Sequence, residues 1–86
     1  MVKTASKTLG PKESAEVATR YLKELIPLAE QILVEEVYRA GRGGAWQVTL
    51  SYLASIDIDS LLCRQCKVLR VDAKSGEVLS MRILRK

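Results

Sequence analysis

Pro27 constrains this chain more than any other residue, because the hydrophobic pattern changes its period there. Before it, Ala15, Ala18, Leu22 and Leu25 step by 3, 4 and 3, and Val17, Tyr21 and Ile26 widen the stripe. Glu13, Glu16, Arg20, Lys23 and Glu24 occupy the other faces, so the spacing predicts an amphipathic helix from Lys12 to Ile26. Pro11 suits its first turn, where a missing N–H is not needed. An interior proline costs about 3 kcal/mol and pushes the preceding residue toward extended geometry, so the helix is expected to stop at Ile26. The alternative, a kinked helix running on to Tyr38, has Leu28, Ala29, Ile32 and Leu33 available to extend the stripe.

After Pro27 the chain reads as strands. Ile32, Val34 and Val37 lead to the turn cluster Gly41-Arg42-Gly43-Gly44, and Trp46, Val48, Leu50 and Tyr52 then alternate with Gln47, Thr49 and Ser51. This predicts a hairpin of residues 31–39 and 45–53, with a bulge near Glu35-Glu36 where alternation breaks. Residues 54–63 read as a connection. Lys67, Leu69, Val71 and Ala73 alternate with Val68, Arg70 and Asp72. The segment from Asp72 to Glu77 reads as a turn in which Gly76 takes a positive φ. A last strand places Leu79, Met81 and Ile83 on one side and Ser80, Arg82 and Leu84 on the other. The expected fold class is α+β: a flexible tail over residues 1–10, then a single domain over 11–86 with one N-terminal amphipathic helix packed on a four-stranded antiparallel sheet, α-β-β-β-β. The apolar sheet face, from Trp46 through Ile83, is expected against the helix. A helix of 15 residues is only about 22 Å long. Uncovered apolar area then favours a protein partner or a homodimer.

Histidine is absent from the 86 residues, which excludes Ser-His and Cys-His couples, imidazole metal ligands and a histidine pH switch. Glu35 and Glu36 are adjacent, and on a regular strand they would point to opposite faces, so a solvated pair at the bulge is expected rather than acid–base machinery. Asp57 and Asp59 supply too few oxygens for Ca²⁺, which takes about 6–8. The glycines at 41, 43 and 44 precede a strand, whereas phosphate cradles lead into a helix. No enzymatic activity and no cofactor are expected.

Cys63 and Cys66 form one C-x-x-C, two ligands short of a structural zinc site. If extended, the pair is about 10 Å apart at ~3.3 Å per residue, too far for a disulfide without a turn. Two reduced thiols are expected, although two copies could pool four thiolates. No apolar leader or membrane-length run is seen, so the expected location is the cytoplasm, with no membrane partner.

The net charge of +4 is uneven. Up to Ala40, Lys3, Lys7, Lys12, Arg20, Lys23 and Arg39 balance six glutamates; eight basic residues face four acidic ones thereafter. A basic second half permits nucleic-acid binding through Arg42, Arg64, Lys67, Arg70, Arg82, Arg85 and Lys86, with Trp46, Tyr52 or Tyr21 stacking on bases. Trp46 and Tyr52 share the parity of Val48 and Leu50, however, so core positions are expected for both.

The small residues Ala15 and Ala18 on the helix, the strand Trp46-Gln47-Val48-Thr49 and the stretch from Val68 to Leu79 together resemble a PepSY-type domain. The closest correspondence is V-L-R-V-D-A-K-S-G-E-V, with Ser75 where that family usually has threonine, and the likeness spans about residues 12–84. It implies a small non-enzymatic module, cystatin-like in shape, that binds and often restrains a peptidase or another protein. That family is usually extracytoplasmic or attached to a membrane protein, whereas the location expected for this sequence is the cytoplasm, so a partner other than a peptidase is expected. A weaker similarity, through Trp46-Gln47-Val48-Thr49 and Arg82-Ile83-Leu84-Arg85-Lys86, is to the gas vesicle accessory protein O family, some members of which are cytoplasmic. The expected function is therefore a protein-binding or regulatory module with a partner-binding face of Gln47, Thr49, Val68, Arg70, Arg82 and Leu84. The alternative is a nucleic-acid-binding protein using the basic C-terminal sheet face.

Overall fold

The computed structural model describes residues 9–41, 44–54 and 63–84. Helix α1 spans Pro11–Leu25, and four strands follow: β1 Glu30–Ala40, β2 Ala45–Ala54, β3 Cys63–Asp72 and β4 Val78–Ile83. They form one antiparallel sheet in the order β1-β2-β3-β4, with α1 across one face. The α+β architecture read from the sequence is the observed one.

Pro11 opens α1, and the Glu13 carboxylate accepts a hydrogen bond from the Gly10 N–H at 3.0 Å. That satisfies one of the donors a helix start leaves free. The helix closes at Ile26, whose N–H donates to Leu22 O at 2.8 Å. Pro27 cannot continue the ladder, and the Ala29 N–H turns back to Ile26 O at 2.9 Å. Lys23 Nζ donates to Ala29 O at 2.7 Å, closing the corner with a cation at the negative end of the helix. The helical continuation to Tyr38 is thereby excluded, since residues 30–38 belong to β1.

Ser14, Ala18 and Leu22 are the buried helix positions, and Ile26 packs against the core after them. This i, i+4, i+8 stripe leaves Leu25 exposed, which corrects its expected core position. Val48, Leu50 and Tyr52 of β2 meet Leu69 and Val71 of β3 beneath the helix, all essentially inaccessible. Each large side chain among them contributes about 1.5–3 kcal/mol through removal from water.

Two strand edges depart from simple alternation. In β1 the register shifts between Val34 and Glu36, the bulge expected from the sequence. In β4 Val71 pairs with Val78 while Arg70 pairs with Ser80, so Leu79 is an extra residue. Val78 takes the core position, and Leu79 is 53% exposed. The expected inward set of Leu79, Met81 and Ile83 is therefore corrected. Met81 packs on the core, whereas Ile83 is 60% exposed beyond the reach of the helix.

β3 also begins earlier than the sequence implied, at Cys63, because it pairs along the whole of β2 from Ala45↔Asp72 to Ala54↔Cys63. Gly76, at φ +78°, makes the β3–β4 turn as expected. Leu9 and Gly10, read as part of a flexible tail, are pinned: the Leu9 N–H donates to Ala73 O at 2.6 Å. The remainder of that tail, residues 1–8, lies outside the described residues, as do Asp57 and Asp59.

Candidate functional site

The sheet face away from α1 is built by the residues that alternate with the core. Gln47 pairs with Arg70, Thr49 with Val68, and Val68 in turn with Arg82. Leu84 follows β4, its N–H donating to Cys66 O at 3.1 Å. All six residues expected to form a partner-binding face thus lie on one surface. Their depths differ, however. Thr49 and Val68 are buried floor positions, while Arg70, Arg82 and Leu84 stand exposed around them.

The β1 bulge adds what simple alternation could not. Glu36 pairs with Thr49 and therefore belongs to the open face, and Glu35, the extra residue, reaches the same face. Ser51 Oγ donates to Glu35 Oε2 at 2.6 Å and accepts from Arg64 Nε at 3.1 Å. Arg64 Nη2 also donates to Gln31 O at 2.7 Å. Glu35, Glu36, Thr49, Ser51, Arg64, Cys66 and Leu84 line a depression of about 490 Å³. Of these, Arg64 was expected only in the basic set and Cys66 only beside Cys63, and Ser51 had no expected site role. The one available signal was the broken alternation at Glu35-Glu36, since neither Arg64 nor Cys66 is near β1 in sequence.

The Ser51–Glu35 contact has the donor arrangement of a hydroxyl beside a base, but its setting is structural. Ser51 is 1% exposed, and its oxygen already accepts the Arg64 guanidinium. A nucleophile needs that oxygen free to attack. Among the described residues no three His, Cys, Asp or Glu side chains gather as a metal site. Residues 63–66 are extended within β3, which sets the Cα atoms of positions 63 and 66 about 10 Å apart at ~3.3 Å per residue, against at most ~6.8 Å between the Cα atoms of a disulfide. Cys66 is a free, half-buried thiol.

The expected basic set does not form one surface. Lys67 pairs with Leu50 and lies on the helix side, where its Nζ donates to the Tyr52 hydroxyl at 2.6 Å. Arg64, Arg70 and Arg82 face the other way, and Arg42, Arg85 and Lys86 lie outside the described residues. Tyr52 is buried in the core, as its parity implied. Trp46 is half-buried on the helix side, with Arg39 5.2 Å above its ring and its Nε1 donating to Leu9 O at 2.9 Å. Tyr38 is the exposed aromatic of the open face, and its hydroxyl accepts from Gln47 Nε2 at 2.6 Å.

Asp72 closes the β3–β4 turn at the end of this face. The Lys74 N–H, donating to its Oδ1 at 2.9 Å, is the main cause that holds its carboxyl below the usual value of 3.8; desolvation opposes it, and hydrogen bonds from Ser75 and the Lys74 charge add to the lowering. Among the described residues no helix is long and apolar enough to cross a membrane. No family model, curated protein or solved structure matches the chain.

Proposed function

We propose that this chain is a small non-enzymatic protein-binding or regulatory module of PepSY-like type, presenting the open face of its sheet to a protein partner. The observation that carries this reading is the sign pattern of that face. The bulge sets Glu35 and Glu36 on the same surface as Arg64, Arg70 and Arg82, with Leu33, Tyr38 and Leu84 exposed among them. Mixed charge interspersed with apolar and aromatic contact points suits a protein surface. A polyanion would meet repulsion from the two carboxylates, and both Trp46 and Tyr52 are occupied on the helix side.

The test is a photo-crosslinking residue in place of Gln47 in the full chain, expressed in its own cells. A discrete protein adduct that Arg70→Glu abolishes, with the circular dichroism spectrum unchanged, is the expected result. Adducts that ignore Arg70→Glu would overturn the reading. So would oligonucleotide binding by the purified chain that falls steeply with salt, which assigns the face to nucleic acid instead.

A further inference from the structure

The large apolar side chains left exposed gather on the two edges of the sheet. Leu33, Val34 and Tyr38 stand on β1, and Leu79, Ile83 and Leu84 on or directly after β4; among the described residues only Leu25 and Leu28 lie elsewhere. The two edges carry opposite charge. β1 holds Glu30, Glu35 and Glu36 against Arg39, whereas the only charged residue of β4 is Arg82. Between α1 and β1 runs a groove of about 560 Å³ with Ala15, Thr19, Ile32 and Val34 among its lining.

We propose that β1 accepts, edge to edge, strand β4 of a second copy of this chain. Each strand in the order β1-β2-β3-β4 is antiparallel to its neighbour, so β1 and β4 run in opposite directions. A copy in the same orientation therefore continues the sheet as a regular antiparallel one, with both helices on the same side. The side chains then agree in parity. With Arg82 of the second copy opposite Glu36, Met81 falls opposite Val37 and Ser80 opposite Tyr38. Across the bulge, Val34 meets Ile83 and Leu33 meets Leu84. This is the alternation by which β1 already pairs with β2, where Glu36 faces Thr49 and Val34 faces Leu50. Ile83, uncovered by its own helix, enters the groove beside α1 of its neighbour. An antiparallel β1–β1 pair centred on Glu36 sets that glutamate against its own copy instead, and like charges on paired strands repel. The contact is heterologous, so copies add head to tail rather than stopping at a symmetric dimer.

Sedimentation of the full chain over a wide concentration range tests this. The weight-average mass is expected to climb past that of a dimer, and hydrogen exchange to slow with concentration in β1 and β4 alone. Glu36→Arg and Arg82→Glu are each expected to raise the concentration needed for association roughly fivefold, from the loss of one cross-strand charge pair and the gain of a repulsion. The double variant Glu36→Arg/Arg82→Glu restores association. Circular dichroism confirms that each variant keeps its fold. A chain that stays monomeric at every concentration overturns the proposal. So does a dimer that the charge reversals leave unchanged, or a monomer whose β1 amides are protected only by a foreign protein.

Discussion

Trp46 Nε1 donates a 2.9 Å hydrogen bond to the carbonyl of Leu9, a residue 37 positions earlier that lies just before α1. The Leu9 N–H in turn reaches Ala73 O, and the Ala73 N–H reaches Gly44 O, so one end of the sheet and the helix entry are tied together. Trp46→Phe keeps a ring beneath Arg39 but removes the donor. It is expected to cost about 1 kcal/mol, a fall of about 4–8 °C in Tm. Urea unfolding and faster exchange of the Leu9 amide check this; an unchanged Leu9 amide contradicts the anchoring role.

The bulge at Leu79 separates two side chains that the sequence pattern would exchange. Leu79→Ser is expected to cost less than about 1 kcal/mol, because the side chain is already 53% exposed. Val78→Ser is expected to cost about 1–2 kcal/mol through lost burial against Val71. Denaturant midpoints of the two variants decide between the observed register and simple alternation, which reverses their order.

Gln31 holds φ +51° at the start of β1, where the register shifts between Glu30 and Leu33. Left-handed backbone is costly for a residue with a Cβ. Gln31→Gly is expected to stabilise the fold by up to about 1 kcal/mol, the relieved strain exceeding the added freedom of the unfolded chain. Gln31→Val, β-branched, is expected to destabilise it by more than that. Thermal melts with the order Gly above Gln above Val check the prediction.

Asp72 supplies a dependence on acid. Its carboxyl titrates below 3.8 in the folded chain because the Lys74 N–H and Ser75 bind the ionised form. Folding therefore depresses its pKa, so its contribution is complete above about pH 4 and disappears as pH falls through the folded value. Between pH 5 and pH 2, wild type is expected to lose stability more steeply than Asp72→Asn. Parallel slopes in acid unfolding would remove Asp72 from this role.

Local chemistry alone determined much of this protein. Helical spacing up to Ile26, the proline after it and two-residue alternation beyond Gly44 specify one helix followed by strands, because each period can bury only one face. The turn at Gly76 was legible for the same local reason, as was the break at Glu35-Glu36. Tertiary pairing decided the rest. It placed Leu79 outside and Val78 inside, because β3 sets the register of β4 and a bulge transfers one residue from one face to the other. It brought Arg64 to Ser51 and Glu35, and sent Lys67 to the opposite side of the sheet, because strand pairing joins residues that no local pattern relates. It also left Leu25 and Ile83 in water, since the reach of a helix across a sheet depends on where its axis lies, a property of the packed whole rather than of either segment.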